Sequence, residues 1–322
     1  MRLRLVPAET KIDFFRYRFA TFGLSVVLMV ASLVLWLMVG LNFGIDFRGG
    51  TTIRTQSETS VDVAAYRAAM QPLNLGDVTI SEVFDPTFAA NQHVAMIRIQ
   101  AQDGQQSVTG TVVDTVLATL KAVDATIHFT SVESVGPKVS GELIQTAVIA
   151  LVAALGAILF YIWLRFEWQF SVGAVAALVH DVVLTIGIFS LLQIRFDLAT
   201  IAALLTIVGY SINDTVVIFD RLRENLRKFK TMPLRDVMNL SVNETLSRTL
   251  MTSGTTLIAL IALLVLGGDV IRGFVFAITW GVIVGTYSSV YVAKNIVLWL
   301  GVKRDWSKPD ATVGNQFGNV DA

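Results

Sequence analysis

The sequence predicts an α-helical polytopic membrane protein with six transmembrane helices and one ferredoxin-like α+β domain between the first and second spans. Hydrophobic residues make up 54% of the 322 residues, charged residues make up 16%, and the mean hydropathy is +0.64. These values lie far from the soluble average. Six apolar stretches are near or above the about 20 residues that a bilayer requires, and one polar segment of roughly 100 residues is too long for a loop.

The apolar stretches define the expected organisation of the chain. They cover residues 19–41, 144–164, 170–192, 198–219, 250–266 and 274–300. We expect an N-terminal segment at 1–18, a first helix at 19–41, a separate domain at 42–143, a five-helix region at 144–300 with a polar segment at 221–249, and a tail at 301–322. The first stretch is too long for a cleaved signal and is expected to remain as an anchor.

Basic residues predict the orientation of these spans. Sixteen lysines and arginines fall on one side, in residues 1–18, at Arg165, in residues 221–249 and in the tail. The opposite side has Arg195 and Arg272 in short loops, and residues 42–143 contain six basic against eleven acidic residues. Because cytoplasmic loops carry the excess of positive charge, both termini are predicted to be cytoplasmic and the 42–143 domain extracytoplasmic.

Composition argues against several functional classes. The formal net charge is zero, which does not favour nucleic-acid binding. The chain contains no cysteine, and His93, His128 and His180 are too scattered for a metal cluster. The 42–143 segment has no nucleophile with a neighbouring base, so we expect neither an enzyme nor a cofactor, and a binding surface is the more plausible role of this domain.

Residues 42–143 follow a β-α-β-β-α-β pattern. Strands are predicted at 51–56, 77–84, 93–100 and 126–132, and helices after Ser60 and around Val112, Val116 and Leu120. In the third strand, Ala95, Ile97 and Ile99 alternate with residues of the opposite face. This order is typical of a ferredoxin-like split unit.

A carboxylate inside the fourth apolar stretch is the main functional clue. Asp214 lies beside Ser211 and Asn213, seven residues before Arg221, and therefore roughly 10 Å below the membrane interface. Ionisable residues at such depth are costly and mark ion or proton pathways. Hydroxyl and amide groups of Ser211, Asn213, Thr252 and Thr256 are candidates to bond across helices or to order water.

Two other ionisable positions lie inside predicted spans. His180 and Asp181 occupy the middle of the third span, where they form either a second proton relay or a polar clamp between helices or to a partner subunit. Lys294 lies near the end of the last span, where a lysine is expected to extend to the headgroups. The stretch 220–230 is rich in basic residues and is expected to lie along the membrane surface and contact anionic lipid.

A glycine-rich motif, GIDFRGG at residues 44–50, directly follows the first span. The paired Gly49 and Gly50 permit backbone angles closed to other residues, and Asp46 can accept hydrogen bonds from nearby amides. We interpret Gly44, Asp46, Phe47, Gly49 and Gly50 as a hinge motif. A simple membrane-exit turn is the alternative reading of the same pattern.

Three motifs together are similar to those of the SecF family, the smaller partner of the bacterial SecDF export complex. They are GIDFRGG at 44–50, VGYSINDTVVIFDRLREN at 208–225 and SRTLMTSGTT at 247–256. The resemblance covers nearly the whole chain and implies a fold related to the resistance-nodulation-division (RND) transporters. It carries a proton relay onto Asp214 and Arg248, and Arg48 departs from the small residue expected at its position.

The resemblance also implies partners and a location. The expected partners are SecD, the SecYEG translocon, YajC, a membrane insertase and the translocating polypeptide, in the bacterial inner membrane. The expected function is use of the proton gradient to complete protein export. Two other functions are weighed beside it: a non-transporting translocon scaffold, and an RND-type small-solute exporter, of which six spans and one outer domain would be only half.

Overall fold

The structure is a computed structural model that describes residues 10–76, 78–100 and 110–302, apart from the side chains of residues 137, 138 and 269. The predicted features that fall on residues 1–9 and on the tail from residue 303, and the predicted start of a strand at Asp77, lie outside this description.

The elements follow one another in a simple order. The helices are α1 (Arg18–Val39), α2 (Ile45–Arg48), α3 (Val63–Met70), α4 (Gly110–Val123), α5 (Pro137–Arg165), α6 (Trp168–Leu192), α7 (Leu198–Lys228), α8 (Leu234–Leu266), α9 (Asp269–Ser288) and α10 (Lys294–Leu300). A π-helical turn at Ser289–Ala293 joins the last two. The strands are β1 (Asn42–Phe43), β2 (Gly50–Ser57), β3 (Val78–Val83), β4 (His93–Gln100), β5 (His128–Val135) and β6 (Arg195–Phe196).

The prediction of six membrane spans is confirmed. Within the described residues, six helices are long and apolar enough to cross a bilayer: α1, α5, α6, α7, α8 and the continuous α9–α10 unit. The largest difference from the predicted boundaries is at the start of α8. Pro233 caps α8, as a helix-breaking proline should, but the polar run after it and the apolar stretch from Leu250 form one helix of 33 residues.

The basic end of α7, which its charge predicts to lie along the membrane surface, packs against α8. Leu222 and Leu226 are buried and pack in one cluster with Val237 and Met238 of α8. The apolar stripe of this segment is therefore covered by protein, so α7 and α8 form a helical hairpin. Arg221 also joins the two helices, through a 2.7 Å ion pair with Glu244 of α8, and pairs with Glu224 on its own helix.

The prediction of a ferredoxin-like domain is confirmed by the sheet topology. The four strands are antiparallel neighbours in the order β3-β4-β2-β5, and α3 and α4 contact each other on one face. Ile53, Ile97, Ile99 and Leu120 are buried in that core. One detail differs: Asp62, and not Ser60, caps α3, since its carboxylate accepts a 2.9 Å hydrogen bond from the Ala65 amide.

The other face of the sheet is turned toward the helix bundle. It borders a cleft of about 900 Å³, the sheet–bundle cleft, whose walls include Arg54 and Arg98 from the sheet and Asp197, Phe274 and Phe276 from the bundle. Met96, on this face of the sheet, is buried in a small cluster with Val83, Val94 and Phe88. The helices of the domain cover one face of the sheet, and the sheet–bundle cleft borders the other.

Candidate functional site

Asp181 is the centre of a fully enclosed polar cluster. It lies on α6 and is 1% exposed, and the neighbouring His180 is 0% exposed. Its Oδ1 lies 2.9 Å from His180 Nδ1, and its Oδ2 accepts hydrogen bonds from Ser211 Oγ at 2.6 Å and Ser288 Oγ at 2.8 Å. The carboxylate therefore joins three helices, α6, α7 and α9.

A second set of hydroxyls continues this cluster along α7 and the last span. Thr215 Oγ1 and Ser289 Oγ lie 2.8 Å apart, and Ser289 Oγ also donates to the Gly285 carbonyl. Ser289 opens the π-helical turn, where the backbone pattern widens by one residue. Such turns occur mostly as single insertions in helices, frequently at functional sites.

Asp214 has a different environment. It is 3% exposed, and within the described residues its carboxylate accepts one hydrogen bond, from Ser253 Oγ at 3.5 Å, the outer limit for such a contact. Ser253 on α8 is itself 2.8 Å from Thr286 Oγ1 on α9, and Tyr210 OH donates to it at 3.4 Å. A line of hydroxyls therefore reaches a carboxylate that is poorly satisfied by protein.

The expected direct pair between Asp214 and Arg248 is not formed in this structure. Among the described ion pairs, none joins these two residues, and Arg248 is exposed. Its side chain lines a second cleft of about 540 Å³, the basal cleft, together with Asp220 and Glu244. An arginine at the end of a span keeps its charge in water by extending outward, which costs less than reaching into the bundle.

Three of the predicted helix-bridging side chains do not bridge helices. Asn213 is exposed, whereas Thr252 and Thr256 donate to the carbonyls of Arg248 and Thr252, each one turn earlier on the same helix. Ser211 does bridge helices, as expected. Sequence reasoning missed Ser253, Thr286 and Ser288, although Thr245, Thr249 and Ser253 recur at every fourth position and mark the buried stripe of α8.

Lys294 is buried, and the prediction that it extends to the headgroups is wrong. It is 1% exposed, and its Nζ lies 4.1 Å from the ring centroid of Phe15, 5.0 Å from Phe14 and 5.3 Å from Tyr291. The chain before α1 folds back under the bundle and brings the rings of Phe14 and Phe15 to the amine. Cation–π attraction therefore takes the place of solvent at this position.

The GIDFRGG motif forms a compact junction between the sheet domain and the bundle. Strand β1 pairs in parallel with β6, and the Gly44 amide donates to the Phe196 carbonyl at 2.8 Å. Gly49 and Gly50 have φ angles of 73° and 141°, which are open to glycine and strained for other residues. Phe47 is buried against Phe196, so the motif makes a hydrophobic contact in addition to its tight turn.

The same junction holds the first residue of α7. Asp46 Oδ2 accepts a 3.1 Å hydrogen bond from the Leu198 amide, which begins the helix that carries Asp214. Asp197 caps that helix in a reciprocal capping box with Thr200. A Cβ on Gly44 would lie 3.0 Å from Arg195 Nε, so a larger residue would require the Arg195 side chain to shift. The entry to the sheet domain and the Asp214 helix are therefore mechanically connected.

Neither lone histidine of the sheet domain forms a site. His93 Nδ1 lies 3.9 Å from Glu82, and His128 is exposed. No group of three histidine or acidic side chains within the described ranges is arranged to hold a metal ion.

Comparison with known proteins identifies the family. Residues 115–303 match the family model described as "Protein export membrane protein SecD/SecF, C-terminal", and residues 34–61 match the "SecD/SecF GG Motif". The protein translocase subunit SecF of Cereibacter sphaeroides is 69% identical over 321 residues, covering 100% of this chain and 99% of the relative. That of Rhodobacter capsulatus is 66% identical over 315 residues, covering 96% and 95%.

Two solved structures share the fold. The crystal structure of SecDF, a translocon-associated membrane protein from Thermus thermophilus, superposes with a TM-score of 0.81 at 34% identity and is matched over 93% of this chain. SecDF in a super-membrane-facing form gives a TM-score of 0.68 at 36% identity, again over 93% of this chain. This chain spans 40% of the length of each SecDF chain. It is a multi-pass membrane protein that belongs to the SecF family of protein translocase subunits.

Proposed function

We propose that this chain is a proton-coupled auxiliary subunit of protein export that pairs with SecD. Family membership and the SecDF structures support the pairing, because the chain corresponds to 40% of each SecDF chain and a partner would supply the remainder. The outer domain then assists the late movement or release of a polypeptide that emerges from the SecYEG translocon. YajC, a membrane insertase and anionic lipid are further proposed partners.

The observation that carries the proton coupling is the unsatisfied state of Asp214. A buried carboxylate in a membrane bundle is costly unless it has partners or is neutral. Among the described residues, Asp214 accepts a side-chain hydrogen bond from Ser253 alone, at 3.5 Å, and Arg248 lies on the neighbouring helix α8, in the wall of the basal cleft. Ionised Asp214 would attract Arg248, and protonated Asp214 would release it. In this proposal, the arrangement without an ion pair between the two residues is the released one.

Helix α7 supplies a route from this acid to the sheet domain. Asp214 lies sixteen residues after Leu198, which is about 24 Å along the helix. At Leu198 the helix is held by Asp46 of the junction, next to the strand that enters the sheet. A shift or rotation of α7 that follows protonation would therefore reach the glycine junction, where Gly49 and Gly50 can absorb a change in backbone angles.

The proposed orientation follows from the distribution of basic residues. It places both termini and residues 221–249 in the cytoplasm and residues 42–143 outside it, in the bacterial inner membrane. The division of the chain at residues 18, 41, 143 and 300 is part of the same proposal. In this orientation, the sheet–bundle cleft would face the outer side and the basal cleft the inner side.

The function is tested by release of a secreted protein from sealed, energised vesicles that lack the native subunit. Adding this chain together with SecD should accelerate release, and an ionophore that collapses the proton gradient should remove the acceleration. Vesicles with SecD alone are the control. Release that this chain accelerates equally with and without a gradient would contradict proton coupling.

A scaffold is the second candidate, and the Asp181 cluster favours it. An acid that receives hydrogen bonds from three residues on three helices is suited to fixing helix positions. If the whole bundle served to fix helix positions, as the Asp181 cluster does, export would need this chain for assembly of the translocon. The chain would then not make export respond to the proton gradient. The same vesicle measurement separates the two functions.

A further inference from the structure

A small cavity of about 180 Å³ lies where the glycine junction, the sheet and the α6–α7 loop meet. The charged side chains that line it are Arg48, Arg98 and Arg195, and its wall also includes the backbone at Gly44 and Gly49. Each arginine belongs to a different part of the molecule: Arg48 to α2, Arg98 to β4 and Arg195 to β6. We call this space the arginine cavity.

Strong hydrogen-bond donors in this cavity lack matching acceptors. The Nε atoms of Arg98 and Arg195 are buried and have no hydrogen-bond partner within the described part of the chain. Arg98 Nη2 points at the thioether sulfur of Met96 at 3.0 Å, and Arg195 Nη1 points at the same sulfur at 3.9 Å. Met96 lies on the wall of the adjoining sheet–bundle cleft, which shares Arg98 and Arg195 with the arginine cavity. A thioether is only a weak acceptor, so these contacts satisfy the two guanidinium groups poorly.

The electrostatic state of Arg98 agrees with that geometry. Burial, followed by the positive charge of Arg195, lowers the pKa of Arg98 to about 10, and Asp197 acts in the opposite direction. Arg98 therefore remains charged at neutral pH, but its charge is poorly compensated. A second guanidinium beside it adds repulsion, which an anion between the two would convert into attraction.

Two nearby carboxylates compensate these arginines only weakly. Asp46 Oδ2 accepts from the Leu198 amide. Asp197 Oδ1 accepts from the Thr200 amide and hydroxyl, and Asp197 Oδ2 forms a long ion pair, at 3.8 Å, with Arg195 Nε. Neither acid lines the arginine cavity. The protein itself therefore leaves room for a negatively charged group from outside.

We propose that the arginine cavity binds a phosphate group, supplied by the headgroup of an anionic phospholipid. Planar guanidinium groups match phosphate oxygens in bidentate geometry, and three of them can surround one phosphate. The cavity lies beyond the ends of α1 at Val39 and α6 at Leu192, the level at which lipid headgroups meet a spanning helix. Bound phosphate would tie the sheet, the junction and the α6–α7 loop together.

Binding is measured by native mass spectrometry of the purified full chain in detergent, titrated with phosphatidylglycerol or with phosphatidylcholine. We expect one phosphatidylglycerol to be retained preferentially by the wild type. Arg98→Gln and Arg195→Gln should each weaken its retention at least about tenfold, since each removes a charge-assisted contact. Arg67→Gln is the matched control, because Arg67 is an exposed arginine on α3, on the far face of the sheet.

Thermal unfolding distinguishes an anion site from a packing role. The wild type should unfold at a higher temperature with phosphatidylglycerol than with phosphatidylcholine, and Arg98→Gln should lose that increase while unfolding no earlier than the wild type without anionic lipid. Arg48→Gln, which alters an exposed side chain, gives a second test if Arg98→Gln fails to fold.

Further arms identify the source of the phosphate. A rise in unfolding temperature with inorganic phosphate, compared with chloride at equal ionic strength, would support the same site filled from solution. Equal effects of phosphatidylglycerol on the wild type and on the three arginine variants would overturn the proposal. Stabilisation by an acidic peptide, with none by phosphatidylglycerol or phosphate, would overturn it in favour of a carboxylate from a polypeptide.

Discussion

Asp181 and Asp214 are both buried carboxylates of the helix bundle, but their surroundings differ. Asp181 receives hydrogen bonds on both oxygens, from His180, Ser211 and Ser288, at 2.6–2.9 Å. Among the described residues, Asp214 accepts one hydrogen bond, at 3.5 Å from Ser253. The comparison teaches that depth alone does not identify a proton carrier. A fully satisfied acid holds helices in place, whereas an acid with weak partners can exchange them when its charge changes.

The two acids are also connected. Ser211, which donates to Asp181, lies on α7 three residues before Asp214. Because the Asp181 cluster holds one face of α7, a movement driven by Asp214 would take place around a fixed contact. We therefore propose a positioning role for Asp181 and a coupling role for Asp214.

The largest expected effect on stability is that of Asp181→Ala. It removes the acceptor for His180, Ser211 and Ser288, and hydrogen bonds in membranes contribute about 0.6 to 1.7 kcal/mol each, so we expect a loss of about 2–4 kcal/mol. Unfolding in mild detergent by titration with SDS measures it. Asp214→Ala is the matched control and should cost less than about 1 kcal/mol. Equal losses would remove the basis of the comparison.

Serine substitutions give a smaller effect of the same kind. Ser211→Ala removes a 2.6 Å hydrogen bond to a carboxylate and should lower the free energy of unfolding by about 1–2 kcal/mol. Ser253→Ala removes a 3.5 Å contact with Asp214 and a 2.8 Å hydrogen bond with the neutral Thr286 hydroxyl, which keeps its bond to the Val282 carbonyl, and should lower the free energy of unfolding by less, about 0.5–1 kcal/mol. The same SDS titration is suitable. A larger loss for Ser253→Ala than for Ser211→Ala would reverse the ranking of the two sites.

The smallest expected effect concerns a carboxylate outside the bundle. Hydrogen bonds from Thr59 and then Thr126 lower the pKa of Asp124, in the sheet domain, below its usual value of 3.8. A lowered pKa in the folded state stabilises the fold above the unfolded pKa, and this stabilisation is lost as the pH falls through the folded pKa. Asp124→Ala should therefore be less stable than the wild type at pH 7, and the difference should shrink below about pH 4.

Thermal unfolding of both proteins between pH 7 and pH 3 measures this pH dependence. The control is Asp114→Ala, on the helix α4 of the same domain. A difference between Asp124→Ala and the wild type that stays constant over this range would show that Asp124 contributes through packing and not through its charge.

The architecture could be predicted from local patterns. Hydrophobic length predicted six spans, and the alternation of Ala95, Ile97 and Ile99 predicted the face of a strand buried in a ferredoxin-like domain. These features depend on residues adjacent in sequence, so no knowledge of distant contacts was required. Asp214 could be singled out for the same reason, because a carboxylate in an apolar stretch is visible without a structure.

The partners of the site could not be predicted in the same way. Apolar helices are hydrophobic on several sides, so the sequence does not show their rotation, and Asn213 was placed inside while Ser253 was overlooked. The burial of Lys294 depends on Phe14 and Phe15, which are held beneath the bundle by hydrogen bonds from the nearby backbone to Asn239 and Asn243. Contacts over such sequence distances appear only in the fold.

The most direct test of the central claim compares Asp214→Asn with Asp214→Glu in sealed, energised vesicles that release a secreted protein. Asparagine keeps the shape and hydrogen bonds of the acid but cannot become charged, whereas glutamate restores a titratable group. We predict that both variants assemble with SecD, that Asp214→Asn no longer responds to collapse of the proton gradient, and that Asp214→Glu retains part of the response. A response of Asp214→Asn equal to that of the wild type would contradict the assignment of coupling to this residue.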